Sequence, residues 1–234
     1  MSASVYEHIK HRIVHGTLPP GTALVERTIA DQLGVSRVPV REAFQRLTFE
    51  GLLVNADGLR TRTYNEQEML DIYVYREALD GMSTRLFTVR ANELEVQYVQ
   101  MVLKEMEGAV DEYDADYWEE KDIEFHHAIA RGARNERLYR AIGHLYDECF
   151  YILRTYRGGP NARKCGERPR HLQDVYGEHE RIVQAILSSD PESAEAAARA
   201  SVRRATERMM RVFVERKRTS GGSSTSDTVG GTSS

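Results

Sequence analysis

The sequence predicts a mainly α chain in which an N-terminal helix-turn-helix unit precedes an all-helical bundle. Three observations carry this. Residues 24–53 hold two short amphipathic segments joined at Gly34. Residues 65–218 place apolar side chains at helical spacing with no alternating strand pattern. Breaks at Asn92, near Asp114, at Gly132, at Gly158-Gly159-Pro160 and at Ser189-Asp190-Pro191 divide that long stretch into separate helices.

Within the N-terminal unit, the first segment packs through Ile29, Ala30 and Leu33. Gly34 ends it, because glycine tolerates the left-handed backbone of a sharp helix-to-helix turn. Ser36 suits the N-cap of the next helix, and Pro39 falls in its first turn, where a missing N–H costs little. Val40, Phe44 and Leu47 form the buried stripe. Arg37 and Arg41 lie one turn apart at the front of this helix, with Arg46 further along. This is the layout of a helix-turn-helix whose second helix enters the major groove. The planar guanidinium fork can pair with O6 and N7 of guanine or clamp a phosphate. The same arginines would also suit the solvated face of an ordinary surface helix.

Beyond residue 65 the spacing predicts helices over 66–89, 92–113, 116–132, 136–157, 172–188 and 191–217. They form a bundle of about 150 residues, enough to bury a core and fold by itself. The loop 158–171, with Arg163, Lys164, Arg168 and Arg170, is expected to be mobile. The Gly/Ser/Thr-rich tail 219–234 has nothing to bury and is expected to be disordered. The expected organisation is therefore a head over 1–64, a helical body over 65–218 and a tail over 219–234.

Composition narrows the function classes. The chain has 234 residues, room for one large domain or two small ones, and 41% of them are apolar. No apolar run approaches the ~18 residues of a membrane span. No basic-then-apolar leader marks it for secretion, so a cytoplasmic place is expected. Two cysteines, Cys149 and Cys165, are too few for a disulfide framework and read as free thiols, Cys149 within the core. The net charge of −4 is unevenly spread. Residues 1–64 carry eight Lys/Arg against six acids, so a head of +2 sits on a body of −6. Local phosphate contacts count for more than total charge, so this balance suits a specific DNA binder. His8, His11 and His15 in the first helix could add charge at lower pH.

The body holds a polar constellation. Asp122 and His126 are four residues apart and share a helix face with Trp118 and Ile129, which turns that face inward. His179 lies in another apolar stripe with Val175, Tyr176, Ile182 and Ile186. A buried carboxylate and two imidazoles are costly unless paired or bound to a metal. Asp-x-x-x-His with a distant histidine is metal-ligand spacing on helices. Each histidine taken alone is more commonly a core residue bonded to a neighbour. Arg76 shares a stripe with Met69, Ile72, Leu79 and Ser83 and needs an anion if it points inward. That anion is either an internal partner, Asp122 or an acid near Glu77, or the carboxylate of a bound effector.

Several ordered stretches add a family resemblance. Ile13-Val-His-Gly-Thr-Leu-Pro-Pro-Gly21, the run 24–53 and Glu50-Gly-Leu-Leu-Val54 with a turn at Ala56-Asp57-Gly58 resemble the winged helix-turn-helix of the GntR family of bacterial transcription regulators, over roughly residues 5–64. Tyr73-Val-Tyr-Arg-Glu-Ala-Leu-Asp80, Asp122-Ile-Glu-Phe-His-His-Ala-Ile129 and Glu178-His179-Glu-Arg-Ile-Val-Gln-Ala-Ile186 resemble its FadR-type branch, with an all-helical C-terminal effector domain (FCD). The resemblance implies DNA contacts from Arg27, Ser36, Arg37, Val38, Arg41 and Gly58, with Arg46 on the backbone. It implies a homodimer on a two-fold-related operator of double-stranded DNA, most often a repressor, that answers a small-molecule carboxylate. It implies a divalent metal such as zinc on Asp122, His126 and His179. The family's further histidine is Ser201 here, and a serine hydroxyl is a poor zinc ligand. Two readings therefore stand: a three-ligand metal site, or a metal-free site in which Arg76, Asp122, His126, His179 and Ser201 bind a polar effector directly, with a hydroxylated acid such as a sugar acid as the expected class. The wing also departs from the pattern. Thr61-Arg62-Thr63 stands where the family has a hydrophobic residue, so strands 52–55 and 59–63 are expected to be short and weakly packed, with Arg60 and Arg62 reaching DNA or solvent. The rival classes are a metal-dependent helical enzyme and a DNA binder without an effector.

Overall fold

The computed structural model describes residues 2–112, 114–156 and 170–221. Residues 158–169 of the expected mobile loop, with Cys165, and most of the expected tail lie outside them, while Arg170 and His171 are helical rather than loop.

In the head, α1 (Ser2–Val14) packs along α3 (Arg37–Phe49), with α2 (Glu26–Leu33) before the turn. Val5, Ile9, Ile13, Ile29, Ala30, Val40, Phe44 and Leu47 are all buried in one core. Gly34 takes φ 65, as the turn requires. Ser36 occupies the N-cap position in extended conformation, but its side chain makes no capping hydrogen bond. Its hydroxyl is exposed instead.

The wing is the antiparallel pair β1 (Leu53–Asn55) and β2 (Leu59–Thr61), paired Leu53 with Thr61, Val54 with Arg60 and Asn55 with Leu59. It is short, as expected, but its packing is not weak. Thr61 is buried, and its hydroxyl accepts a hydrogen bond from the Thr22 backbone N–H at 2.9 Å. Ala23 adds a bridge to Arg60. A polar residue holds the wing here because the 19–23 segment supplies partners for a hydroxyl, where a methyl group would need apolar cover.

The body consists of α4 (Glu66–Arg90), α5 (Glu93–Glu112), α6 (Ala115–Gly132), α7 (Glu136–Tyr156), α8 (Arg170–Leu187) and α9 (Pro191–Gly221). A capping box between Asn65 and Glu68 opens α4. The most extensive helix pairing is α4 on α9, with α6 and α7 also against α4. The last helix runs to Gly221, three residues into the segment expected to be tail. Once Met209 and Phe213 anchor its outer turns, each further residue adds one hydrogen bond at low cost.

Head and body are not separately packed. The head core continues through Phe150, Tyr151, Val202, Met209 and Phe213 of α7 and α9. Polar contacts close the seam: Lys10 pairs with Asp147 at 2.5 Å, Tyr64 donates to Glu148 at 2.9 Å, and Tyr151 donates to the Arg62 carbonyl at 2.7 Å. A second core within the body gathers Phe87, Val102, Met106, Trp118, Phe125, Ile129 and Ile182.

Candidate DNA interface and buried polar site

The reading helix α3 presents its arginines outward. Val38 is 61% exposed, and the Arg37 and Arg41 side chains are 61% and 57% exposed. They are not free, however. Arg41 donates through Nε and Nη2 to both oxygens of Glu26, at 3.0 and 3.1 Å, and Arg37 Nη2 reaches the same carboxylate at 3.4 Å. Arg27 is looser, with its side chain 80% exposed and 3.8 Å from Asp31. Arg46 stacks over the Tyr6 ring at 3.7 Å and donates to Glu50 at 2.9 Å. Gly58 sits exposed at the wing tip with φ 100 and open space around its Cα.

The two wing arginines, expected to reach either DNA or solvent, are instead held by the protein. Arg60 donates to the Gly21 and Ala56 carbonyls, and Arg62 donates to Glu68 at 3.1 Å. Both tie the wing to its surroundings. The backbone carbonyls and Glu68 that hold them are set by the wing's fold, which charge patterning along the chain does not show.

The structure brings Asp122, His126 and His179 together, with one ligand atom of each within 4.8 Å of the others. His179 Nδ1 lies 2.8 Å from the Val175 carbonyl, which only accepts, so the ring donates there and turns its Nε2 lone pair inward. That Nε2 stands 3.0 Å from Asp122 Oδ1 and 3.1 Å from His126 Nε2. A carboxylate oxygen and two ring nitrogens thus converge, an arrangement that needs a proton or a cation between them. Burial holds His126 far below its ordinary value, which keeps it a neutral imidazole able to ligate a metal. Burial pushes Asp122 up, but the close His179 ring and the positive charge of Arg76 outweigh it and keep the carboxylate ionised. Two imidazoles and one carboxylate are a donor set that fits a divalent ion.

Arg76 is buried, and its anion is the internal partner expected near Glu77, Asp80, rather than Asp122. It donates from Nε to Asp80 Oδ2 at 3.1 Å and from Nη2 to the Tyr146 hydroxyl at 2.9 Å. Tyr146 in turn donates to Asp80 at 2.8 Å and lays its ring against His126. Asp80 Oδ2 lies 4.0 Å from His126 Nδ1, too far for a hydrogen bond, so the Tyr146 ring is what joins this ion pair to the cluster. The i,i+4 spacing of Arg76 and Asp80 was available in the sequence; the arrival of Tyr146 from α7 was not.

Ser201 does not complete the cluster as a ligand. Its hydroxyl donates to Glu178 at 3.1 Å, and Glu178 is also held by Arg204 at 2.8 Å and by Arg208 at 2.7 and 2.9 Å. Glu178 neighbours His179 on α8, yet its carboxylate faces α9, because adjacent helical residues point about 100° apart. Cys149 is buried, as expected.

Head and body together define a class: a winged-helix DNA-binding protein whose C-terminal part is a helical domain with a buried Asp/His/His cluster. The family models for "Bacterial regulatory proteins, gntR family" and "FCD domain" match residues 1–62 and 71–204. The chain therefore belongs to the GntR family of bacterial transcription regulators and carries an FCD domain. A relative from Paenarthrobacter nicotinovorans, named "Probable D-xylose utilization operon transcriptional repressor", is 32% identical over 83% of this chain and 82% of its own length. The gluconate operon transcriptional repressor of Bacillus subtilis is 28% identical over 78% of this chain and 74% of its own length. Escherichia coli McbR/YncC shares the fold, with a TM-score of 0.75, 20% identity and coverage of 91% of this chain and 98% of that one. The chain is thus a transcriptional regulator and not an enzyme. No helix among the described residues is long and apolar enough to cross a membrane.

Proposed function

We propose that this regulator is a cytoplasmic repressor of the FadR-type branch that senses a small hydroxylated carboxylic acid with the help of a divalent metal. The observation that carries the reading is the charge at the buried site. Arg76 and Asp80 cancel as an ion pair, so Asp122 alone would leave the site at −1, hostile to an anion. A divalent cation held by Asp122, His126 and His179 supplies two positive charges and open coordination positions, and turns the site to +1. The Tyr146 ring packs against His126, while Tyr146 and Arg76 hold Asp80. Ser201, committed to Glu178, stands aside from the ligand set, which weighs against the metal-free alternative. The names of relatives for xylose and gluconate operons suit a hydroxylated acid.

The regulator acts as a homodimer on a two-fold-related operator, read by Arg37, Val38 and Arg41, with Arg27, Ser36, Arg46 and Gly58 against the backbone. Val74, Met82 and Val89 leave an exposed apolar stripe along α4 that suits pairing of two copies.

Metal analysis of full-length protein purified without a histidine tag tests the reading. Wild type is expected to carry about one divalent ion per chain, and Asp122→Ala to carry none. Small carboxylates should raise the melting temperature of metal-loaded wild type and leave Asp122→Ala unmoved. Metal-free wild type with no response to any acid after reloading would reject it.

A further inference from the structure

Two of the arginines that face DNA are held by one acid from the preceding helix. Glu26 stands at the first position of α2, and its carboxylate crosses the turn to the start of α3. It takes the side edge of Arg41, Nε with Nη2, and touches Arg37 through Nη2. A guanidinium has a second bidentate edge, formed by Nη1 and the outer hydrogen of Nη2, and the Glu26 contact leaves that edge pointing away from α2. The Arg41 hydrogen bond, acting against slight desolvation, keeps the Glu26 carboxyl below its ordinary value, so it stays ionised. By contrast, the neighbouring Arg27 is nearly unrestrained.

Resting on the DNA-binding reading of α3, we propose that Glu26 is a positioning residue for sequence discrimination: it holds the Arg37 and Arg41 guanidinium groups in register for base edges and offsets one of their two charges against indiscriminate phosphate binding. Three physical effects follow. The fork is ordered before DNA arrives, so less freedom is lost on a correct base pair. An arginine held by its side edge can meet guanine O6 and N7 with its end edge, but cannot swing freely to a phosphate. The carboxylate itself repels the phosphate backbone, which penalises docking that lacks the base contacts. Arg27 lies outside this clamp and remains available as a phosphate contact, while Arg46 is held separately by Tyr6 and Glu50.

The test uses the full-length chain and a pool of random duplexes. Wild type selects a bound sequence from the pool, and affinities for that sequence and for the unselected pool are then compared over a range of salt. Glu26→Gln is expected to bind the unselected pool more tightly, with a salt slope steeper by about one. Its preference for the selected sequence should fall about tenfold, the discrimination of one bidentate pair. Asp31→Asn removes the same charge from the same helix but leaves the clamp, and should preserve the preference. Equal preference in Glu26→Gln and wild type overturns the proposal, as does an equal loss in Asp31→Asn, which would make net charge the cause. A melting temperature of Glu26→Gln that falls in step with the preference overturns it in favour of a folding role. Failure of wild type to select any sequence removes the DNA-binding reading itself, a result distinct from all of these.

Discussion

Three carboxylates show how differently a single acid behaves among cations. Half-buried Glu26 gathers Arg37 and Arg41 where DNA would lie; buried Asp80 neutralises Arg76 beside His126; buried Glu178 collects Ser201, Arg204 and Arg208 between α8 and α9. Burial pushes Asp80 up toward protonation while Arg76 and Tyr146 pull it back, so the pair is stable only as a unit. The arginines at 37 and 41 were legible from helix spacing, because i,i+4 places both on one face. Their partner was not, since the eleven and fifteen residues between them and Glu26 shrink to a hydrogen bond only when the turn at Gly34 folds. At this scale Arg41→Ala is expected to weaken binding to the selected operator by roughly tenfold to a hundredfold at matched salt, because a base-edge contact disappears. Unselected DNA should lose far less. A gel-shift titration against both duplexes measures the two, and equal losses would make Arg41 a phosphate contact.

Among the elements, α6 binds the site to the core. Its inward face carries Trp118, Asp122, Phe125, His126 and Ile129 at helical spacing, so two residues of the polar cluster share an apolar stripe that no solvated helix would keep. The end of α6 lies so close to α4 that a Cβ added to Gly132 would stand 2.5 Å from the Phe87 ring. Phe87 is fully buried and has no free volume to enter. Gly132→Ala should therefore cost about 1–3 kcal/mol of stability through overpacking. Chemical denaturation would show this as a lower midpoint, and an unchanged midpoint would mean that α4 and α6 slide apart freely. The helices themselves were well read, since apolar periodicity, Asn92, Gly132 and Pro191 mark their ends. The wing was read less well: Thr61 looked like a missing hydrophobe, and only the loop 19–23 reveals what a hydroxyl does there.

Over the whole molecule, α7 spans the distance between site and head. Tyr146 touches His126, Asp80 and Arg76, while Asp147, Glu148 and Tyr151 on the same helix meet Lys10, Tyr64 and the Arg62 carbonyl. Movement of Tyr146 on effector binding would thus be carried to the head by a rigid helix, a physically continuous route. Tyr64→Phe removes a donor from half-buried Glu148, whose carboxyl burial already pushes up. The expected cost is about 1–3 kcal/mol, the penalty for a buried polar group left short of a partner. Urea unfolding should register it as a lower midpoint at unchanged slope. The body was expected to bury a core and fold by itself, and the structure also joins it to the head, because Phe150, Tyr151 and Met209 belong to the same apolar core as Ile9 and Leu47.

The amino-acid order alone determined the helices, the place of the turn, the outward arginines of α3 and the inward faces carrying Asp122, His126 and His179. These depend on local periodicity, which a backbone of 3.6 residues per turn converts directly into faces. Tertiary structure decided who answers whom: Glu26 for Arg41, Asp80 and Tyr146 for Arg76, Glu178 for Ser201, Thr22 for Thr61. Such pairs, apart from the single turn between Arg76 and Asp80, join segments distant along the chain, and their distances are set by how helices pack, which spacing along one strand of sequence does not encode.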